Sequence, residues 1–157
     1  MLNNHYQMKL NYIANNEAIK GYAESKLAAQ EHADCVVRAI ASAYDITYDR
    51  AHKWVQDTFS RKPRKGTFGF LSGMDKLADA KSRLNYKLCK KIDPNHLKTN
   101  GGKSQMSVGT FVKLHDKGTY IIVVSRHAFT VKEGQVIGNP SDATRLRKII
   151  KKAWKIA

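Results

Sequence analysis

The clearest hydrophobic pattern in the chain follows Asp34 and has the period of an α-helix. Its apolar positions recur at i, i+3, i+4 and i+7, namely Val37, Ile40, Ala41 and Tyr44. Side chains with this spacing share one helix face. Asp34 is of a residue type that often caps a helix N-terminus. The pattern therefore predicts a helix that begins at Cys35 and buries that face.

Other helices are indicated by weaker spacing together with capping residues, although Gly21 interrupts the first of them. They are 16–29, 48–59 after the cap Thr47, 73–84 with the capping pair Ser72 and Asp75, and a short helix that ends at Gly118.

The second half of the chain has β character. After a short strand in "YKLCK", the segments "TYIIVVS", "HAFTVKE" and "QVIGN" are rich in β-branched residues or alternate in polarity, and turn residues separate them. We expect an antiparallel meander in which His127 begins the second strand. Residues 140–155 are amphipathic, with Asn139 and Pro140 as start signals, and predict a basic C-terminal helix. Helices followed by a small sheet make the expected fold class α+β.

The chain of 157 residues is long enough for about one domain with its own core. We expect an N-terminal extension with a helix over 1–30 and one domain over 31–157, which includes the helix 140–155. No apolar run is long enough to span a membrane, and the N-terminus lacks the apolar centre of a signal peptide. A cytoplasmic location follows, and both cysteines, Cys35 and Cys89, are then expected to be free thiols.

The charge is strongly positive, with 28 Lys and Arg against 13 Asp and Glu, a net charge of +15. Such an excess attracts polyanions, of which nucleic acid is the commonest. Alternatively, the protein is simply basic, and its C-terminal cluster is an ordinary solvated helix face. The residues that would bind nucleic acid lie in two clusters: Arg61, Lys62, Arg64 and Lys65, and Arg145, Arg147, Lys148, Lys151 and Lys152.

A cysteine at a helix start can be a nucleophile, because the unpaired N–H groups there favour the thiolate. Such a thiol needs a base and a group that orients the base. His127 and Asn139 are the candidates, with Asp142 as a fallback for the orienting group. The alternatives stay open: Cys35 as a buried apolar residue, His127 bonded to backbone, and Asn139 only as a helix cap.

Three stretches in this order resemble a family of small phage and prophage proteins with a papain-like cysteine peptidase fold: "DCVVRAIASAYDITYDRAH", "KGTFGF" and "SVGTFVKLHDKGTYIIVVSRHAFTVKEGQVIGN". The resemblance covers roughly residues 34–142. It implies Cys35 as nucleophile, His127 as general base and Asn139 as its orienting partner. Gln30, five positions before Cys35, would help to hold the oxyanion. A phage protein would act in the host cytoplasm or travel in the virion.

No cofactor or metal is expected. Cys89, Asp93 and His96 lack the fourth ligand that structural zinc requires, and "NGGKS" lacks the first glycine of a phosphate-binding loop. Two functions remain. The first is a thiol hydrolase of peptide or isopeptide bonds with a Cys-His-Asn triad. The second is a catalytically silent papain-like fold that binds nucleic acid or a ribonucleoprotein. In either case the protein substrate and the oligomeric state stay unassigned.

Overall fold

The computed structural model describes residues 10–157. Within them lie nine strands: β1 Tyr12–Ala14, β2 Arg83–Leu84, β3 Lys87–Lys91, β4 Lys98–Thr99, β5 Ser104–Gln105, β6 Thr119–Val124, β7 His127–Lys132, β8 Gln135–Gly138 and β9 Lys152–Ile156. The seven α-helices of this part of the chain are α1 Asn15–Ala18, α2 Lys26–Ala29, α3 Cys35–Tyr44, α4 Tyr48–Phe59, α5 Phe70–Asp79, α6 Val108–Leu114 and α7 Pro140–Thr144. A 3₁₀ helix spans Pro94–Leu97.

Seven strands form the main sheet in the order β1-β8-β7-β6-β9-β3-β2. All neighbours are antiparallel except β1 and β8, which run parallel. β4 and β5 make a separate small ribbon. The predicted meander is therefore present as β6, β7 and β8, and the predicted α+β class is confirmed. The sheet is larger than the small antiparallel one expected, since four further strands join the meander, one of them in a parallel pair.

The main sheet is covered on both faces, which explains why β6 is apolar at nearly every position. Ile121 and Val123 contact the cluster formed with α3, α4 and α5, whereas Ile122 and Val124 contact the cluster around α6. Successive strand residues point to opposite faces, so a strand buried on both sides needs apolar residues throughout. β7 continues this arrangement and holds the N-terminal end of α3 against the sheet.

The local predictions were most accurate where periodicity and caps agreed. α3 begins at Cys35, and α4 occupies the predicted 48–59, with the Thr47 hydroxyl accepting a hydrogen bond from the Arg50 N–H. The helix predicted at 73–84 lies earlier, at 70–79, and starts after Gly69. Gly69 has φ +71, a left-handed conformation that glycine adopts without strain.

The predicted helix 16–29 is wrong as a continuous element. Only α1 and α2 form, and the chain between them turns at Gly21, which has φ +70. The preceding strand β1 pairs with β8, and the Leu10 N–H donates to the Ala143 carbonyl. The described part of the predicted 1–30 extension, residues 10–30, is thus joined to the main sheet. The rest of that extension lies outside the described residues.

The predicted C-terminal helix over 140–155 is also wrong. α7 ends at Thr144, and after an irregular segment the chain forms β9 between β6 and β3. Trp154 is completely buried there, and its indole N–H donates to Asp75 at 3.2 Å. Backbone pairing with two strands overrides the helical period, because tertiary contacts outweigh intrinsic propensity. The basic amphipathic helix therefore does not exist.

Within residues 10–157, no helix combines the length and the apolar content needed to cross a lipid bilayer.

Candidate active site

Cys35 is the first residue of α3, and its side chain is half-buried beside β7. Asp34 precedes it at the cap position but does not cap the helix. Its carboxylate instead accepts a hydrogen bond from the Tyr48 hydroxyl at 2.7 Å and pairs with Arg38 at 3.2 Å. The expectation that Asp34 caps the helix is therefore corrected. Its carboxylate leaves the first backbone N–H groups of α3 to other partners.

His127 begins β7, as expected, directly after the tight turn that joins it to β6. Its ring lies close enough to the Cys35 thiol for each group to shift the pKa of the other, and the Ala128 backbone also lies beside the sulfur. The two residues are 92 positions apart in the sequence. Because α3 packs against β7, the first residue of each element meets at one end of the sheet. The fold thus forms the predicted thiol–imidazole pair.

Asp142, in α7, completes a row of three ionisable groups. Its Oδ1 lies 2.8 Å from His127 Nε2, and its side chain is only 6% exposed. Nε2 is buried and has no linear hydrogen-bond acceptor among residues 10–157, so this contact is an ion pair. The other carboxylate oxygen accepts the Asn139 N–H at 2.8 Å. A side chain at Gly138 would collide with this carboxylate.

The charges of these groups support one another. Burial alone would raise the Cys35 pKa, but His127, the Ala128 backbone and the Arg38 charge together lower it below its ordinary value. Contact with Asp142 and then with Cys35 raises the His127 pKa to about 9, in spite of burial. Both shifts favour a thiolate beside an imidazolium. A thiolate, not a thiol, is the nucleophilic form of cysteine.

Asn139 does not occupy the predicted place beside His127, and Asp142 takes it. The Asn139 side-chain oxygen accepts hydrogen bonds from Arg38 at 2.7 Å and from Asn15 at 3.4 Å. Its residue type is right for a helix cap, and α7 does begin after it, but its side chain does not cap the helix. The Asn139 N–H instead donates to the Asp142 carboxylate, as in one half of a capping box. This hydrogen bond holds the carboxylate of Asp142, the third residue of α7, next to the His127 ring.

Gln30 also lies away from the predicted role. It is exposed at the end of α2 and does not line the cavity around Cys35. Thr67 does line that cavity, and its hydroxyl oxygen is buried without a hydrogen-bond partner among residues 10–157. Sequence reasoning missed Thr67 because a threonine in a glycine-rich loop carries no chemical signature of its own. An unpaired buried hydroxyl has a free hydrogen-bonding capacity for a bound molecule.

An open groove of about 1040 Å³ lies over the thiol. The N-terminal end of α3 forms its floor, and 66–72 and the β6–β7 turn contribute its sides. The residues that line it are His32, Ala33, Cys35, Val36, Arg38, Gly66, Thr67, Phe68, Gly69, Phe70, Leu71, Ser72, Val123, Val124, Ser125, Arg126, His127, Ala128, Asn139 and Lys151. The sulfur is thus reachable from solvent through a cavity large enough for several side chains.

A buried ionic network holds the loop 61–69, part of which lines the groove. Arg61 donates to both carboxylate oxygens of Glu31, at 2.6 and 3.1 Å, and His52 contacts the same carboxylate at 2.9 Å. Burial opposes ionisation of Glu31, but hydrogen bonds from Arg61 and His52 bring its pKa down to about 2. Glu31 precedes Cys35 by four residues. The network therefore ties the approach to the thiol to the 61–69 loop.

Only some residues of the predicted nucleic-acid patch are exposed at the surface. Arg61 is 4% exposed and paired, which removes it from the patch. Lys152 lies in β9, and its ammonium is 2.7 Å from Asp75. Lys148 is half-buried, and the exposed members are Lys62, Arg64, Lys65, Arg145, Arg147 and Lys151. Because the C-terminal helix is absent, these residues do not form the continuous basic face that the sequence predicted.

Within residues 10–157, no three His, Cys, Asp or Glu side chains are grouped so that they could hold a metal ion.

No family model, no curated protein and no solved structure matches this chain. The inferences about its function therefore start from the groove and from the Cys35, His127 and Asp142 side chains.

Proposed function

We propose that this protein is a thiol hydrolase that cleaves peptide or isopeptide bonds. Cys35 is the nucleophile, His127 the general acid and base, and Asp142 the group that orients His127. The observation that carries the proposal is the row of these three side chains at the floor of an open groove. A nucleophile with a base in contact, and a third group holding that base, is the recurring arrangement of covalent catalysis.

The reaction begins with the Cys35 thiolate attacking the carbonyl carbon of the substrate. A carbon–sulfur bond forms and the carbonyl oxygen takes the negative charge. When the intermediate collapses, the carbon–nitrogen bond breaks, and the His127 imidazolium gives its proton to the departing amine. Asp142 keeps the ring oriented throughout, since its carboxylate is fixed by the Asn139 N–H. The products of this step are a free amine and a thioester on Cys35.

Water completes the cycle. Neutral His127 takes a proton from a water molecule, and the resulting hydroxide attacks the thioester carbonyl. The carbon–sulfur bond then breaks, which releases the carboxylic acid product and returns the sulfur as thiolate beside imidazolium. The raised pKa of His127 suits this exchange, because the ring must carry a proton in the resting state and lose it during acylation.

Two kinds of donor are available for the negatively charged oxygen. The first backbone N–H groups of α3 are not taken by the Asp34 carboxylate and lie next to the sulfur. The Thr67 hydroxyl, buried and unpaired, lines the same groove. Fixed donors of this kind stabilise the charge that develops in the transition state. They replace Gln30, which the resemblance assigned to this task.

The proposal extends to a papain-like arrangement and to the phage and prophage family that the sequence resembles. Support comes from the order of the parts: a cysteine at a helix start, a histidine at a strand start, and an acidic residue just after the following strand. Such an origin would place the protein in the cytoplasm of an infected cell or in the virion.

The test compares the two cysteines in the native protein. Each thiol is alkylated with iodoacetamide between pH 5 and 9, and the rate at each site is followed by peptide mapping. We expect Cys35 to titrate below the ordinary cysteine pKa of about 8.5 and to react much faster than Cys89 at pH 6 to 7. A Cys35 that reacts no faster than Cys89, or titrates at or above the ordinary value, would contradict the proposal.

A further inference from the structure

Four cations surround the thiol–imidazole pair and have no part in the mechanism above. Arg126 and Lys151 line the groove over Cys35. Arg145 and Lys148 line an adjoining cavity of about 280 Å³, on which Arg126 and His127 also border. Among residues 10–157, no acidic residue lines the groove, and the only one that lines the adjoining cavity is Asp142, which is paired with His127.

The backbone holds Arg126 and Lys151 on one side of the groove. Arg126 sits in the β6–β7 turn with φ 58, immediately before His127. The Lys151 N–H donates to the carbonyl of Val123, near the end of β6, at 2.8 Å. Both side chains are exposed, and neither forms an ion pair with a carboxylate among residues 10–157. The basic side of the groove, formed by Arg126 and Lys151, is therefore available to bind an anionic group of a ligand.

The segment 66–72 gives the groove a different, apolar side. Phe68 is 83% exposed and Leu71 is 38% exposed, although both are apolar. Phe68 lies in the loop that the buried Arg61–Glu31 pair anchors, and Leu71 lies in the first turn of α5, which follows that loop. An exposed apolar surface held in place beside a reactive group is typical of a site that receives an apolar ligand group.

From this juxtaposition we infer that the substrate is a peptide chain with acidic side chains close to the scissile bond. The acidic groups lie against Arg126 and Lys151, and an apolar side chain lies against Phe68 and Leu71. The inference rests on the proposed function, since it names the substrate class of the same site. Complementary charge at the rim of a binding site selects among partners and excludes those of like charge.

A nucleic acid is the competing polyanion, and the arrangement favours it less. Binding a phosphate backbone needs a track of several cations. The predicted track is broken, because Arg61 is buried and Lys152 is paired with Asp75. Arg126 and Lys151 lie next to the thiol itself, in a groove that also exposes the apolar side chains of Phe68 and Leu71. Selection of an acidic peptide uses both sides of the groove.

The experiment measures labelling of Cys35 in the full chain by three short peptidyl vinyl sulfones. The probes are identical except for one residue next to the electrophile, which is Glu, Gln or Lys. Exposed charge pairs contribute modestly, so two cations predict a labelling rate that is about tenfold higher for the Glu probe than for the Gln probe, with the Lys probe slowest. Arg126→Glu with Lys151→Glu should invert this order.

The control is Lys26→Glu with Lys103→Glu, which changes the net charge equally at two exposed positions outside the groove. It should keep the order of the wild type, which separates a local effect from the net charge of +15. Iodoacetamide labelling of every variant reports whether the thiolate is intact. An inverted order with intact iodoacetamide labelling supports the inference, because a merely structural role for these cations would slow all three probes alike.

The failures are distinguishable. Fast iodoacetamide labelling with no preference among the three peptides would overturn the acidic substrate and leave the thiol hydrolase standing. Slow labelling by every reagent would overturn both. If a single-stranded oligonucleotide blocked labelling at physiological salt while the peptides showed no order, the groove would be a nucleic-acid site and the inference would be wrong.

Discussion

The surroundings of Cys35 and Cys89 differ in every respect that controls a thiol. Cys35 is half-buried at the start of a helix, with His127 and the Ala128 backbone in contact, and its pKa is lowered. Cys89 is 1% exposed in the middle of β3, and burial raises its pKa to about 11, despite a hydrogen bond with Tyr44. The comparison teaches that burial alone makes a cysteine inert. Cys35 differs because an imidazole able to carry the proton lies beside its sulfur and lowers its pKa.

The largest effect is expected when His127, the partner of Cys35, is removed. His127→Ala takes away the imidazolium that stabilises the thiolate and the base that activates water. Hydrolysis should fall by about 100-fold or more, which is the usual contribution of a general acid–base residue. Peptide cleavage and iodoacetamide labelling of Cys35 are the measurements. His96→Ala, at an exposed histidine in the 3₁₀ helix, is the matched control and should change neither rate.

The second prediction concerns the buried Glu31–Arg61 ion pair, which lies on the segment that leads to Cys35. Arg61→Leu leaves the Glu31 carboxylate buried without its cation, and the free energy of unfolding should drop by about 3–5 kcal/mol. Urea denaturation measures it. Lys62→Leu, at the exposed neighbour, should stay within about 0.5 kcal/mol. Equal losses in the two variants would mean that the Glu31–Arg61 pair does not hold the loop.

A smaller change follows from Asp142→Asn. A raised histidine pKa means that the imidazolium adds stability fully below its ordinary pKa of 6.5 and that this is lost as pH rises through about 9. Without the carboxylate, the alkaline limit of activity should move to lower pH. The rate at pH 7 should fall several-fold, because a histidine with the ordinary pKa of about 6.5 is only about one-quarter protonated there. NMR titration of His127 measures the shift. An unmoved titration would remove Asp142 from its orienting role.

The smallest effect is expected at the other thiol. Cys89→Ala removes a buried sulfur from the core beside Tyr44 and should cost about 1 kcal/mol of unfolding free energy. Activity should not change, and neither should the labelling of Cys35. A loss of activity in a variant that folds normally would show that Cys89 also takes part in the reaction, and that Cys35 is not the sole functional thiol.

The sequence located the thiol and the imidazole of the candidate site, but not the carboxylate that accompanies them. Cys35 and His127 each begin an element with a strong local signal, and α3 and β7 are adjacent in the fold. Asn139 and Asp142 are three residues apart, and which of them meets the histidine depends on the turn of α7. The hydrogen bond from the Asn139 N–H to the Asp142 carboxylate decides that Asp142 meets the histidine, because it directs this side chain back toward β8 and β7.

Charge was the least informative guide to structure. Arg61 and its neighbour Lys62 look alike in sequence, yet Arg61 is buried against Glu31 and Lys62 is exposed. Glu31, the residue that pairs with Arg61, lies 30 positions away in the sequence, so no local sequence pattern predicts the pair. In the same way, a helical spacing of apolar residues near the C-terminus gave way to β9, whose stability comes from pairing with β6 and β3.

By itself, then, the sequence determined the elements whose apolar period, caps and turns agree, namely α3, α4 and the meander that follows α6. Local interactions set these elements, and neighbouring residues report local interactions. Only the tertiary structure decided that Asp142 pairs with His127, that Arg61 is buried, and that a groove with one apolar and one basic side lies over Cys35. Those features depend on contacts between distant segments, which spacing along a chain does not record.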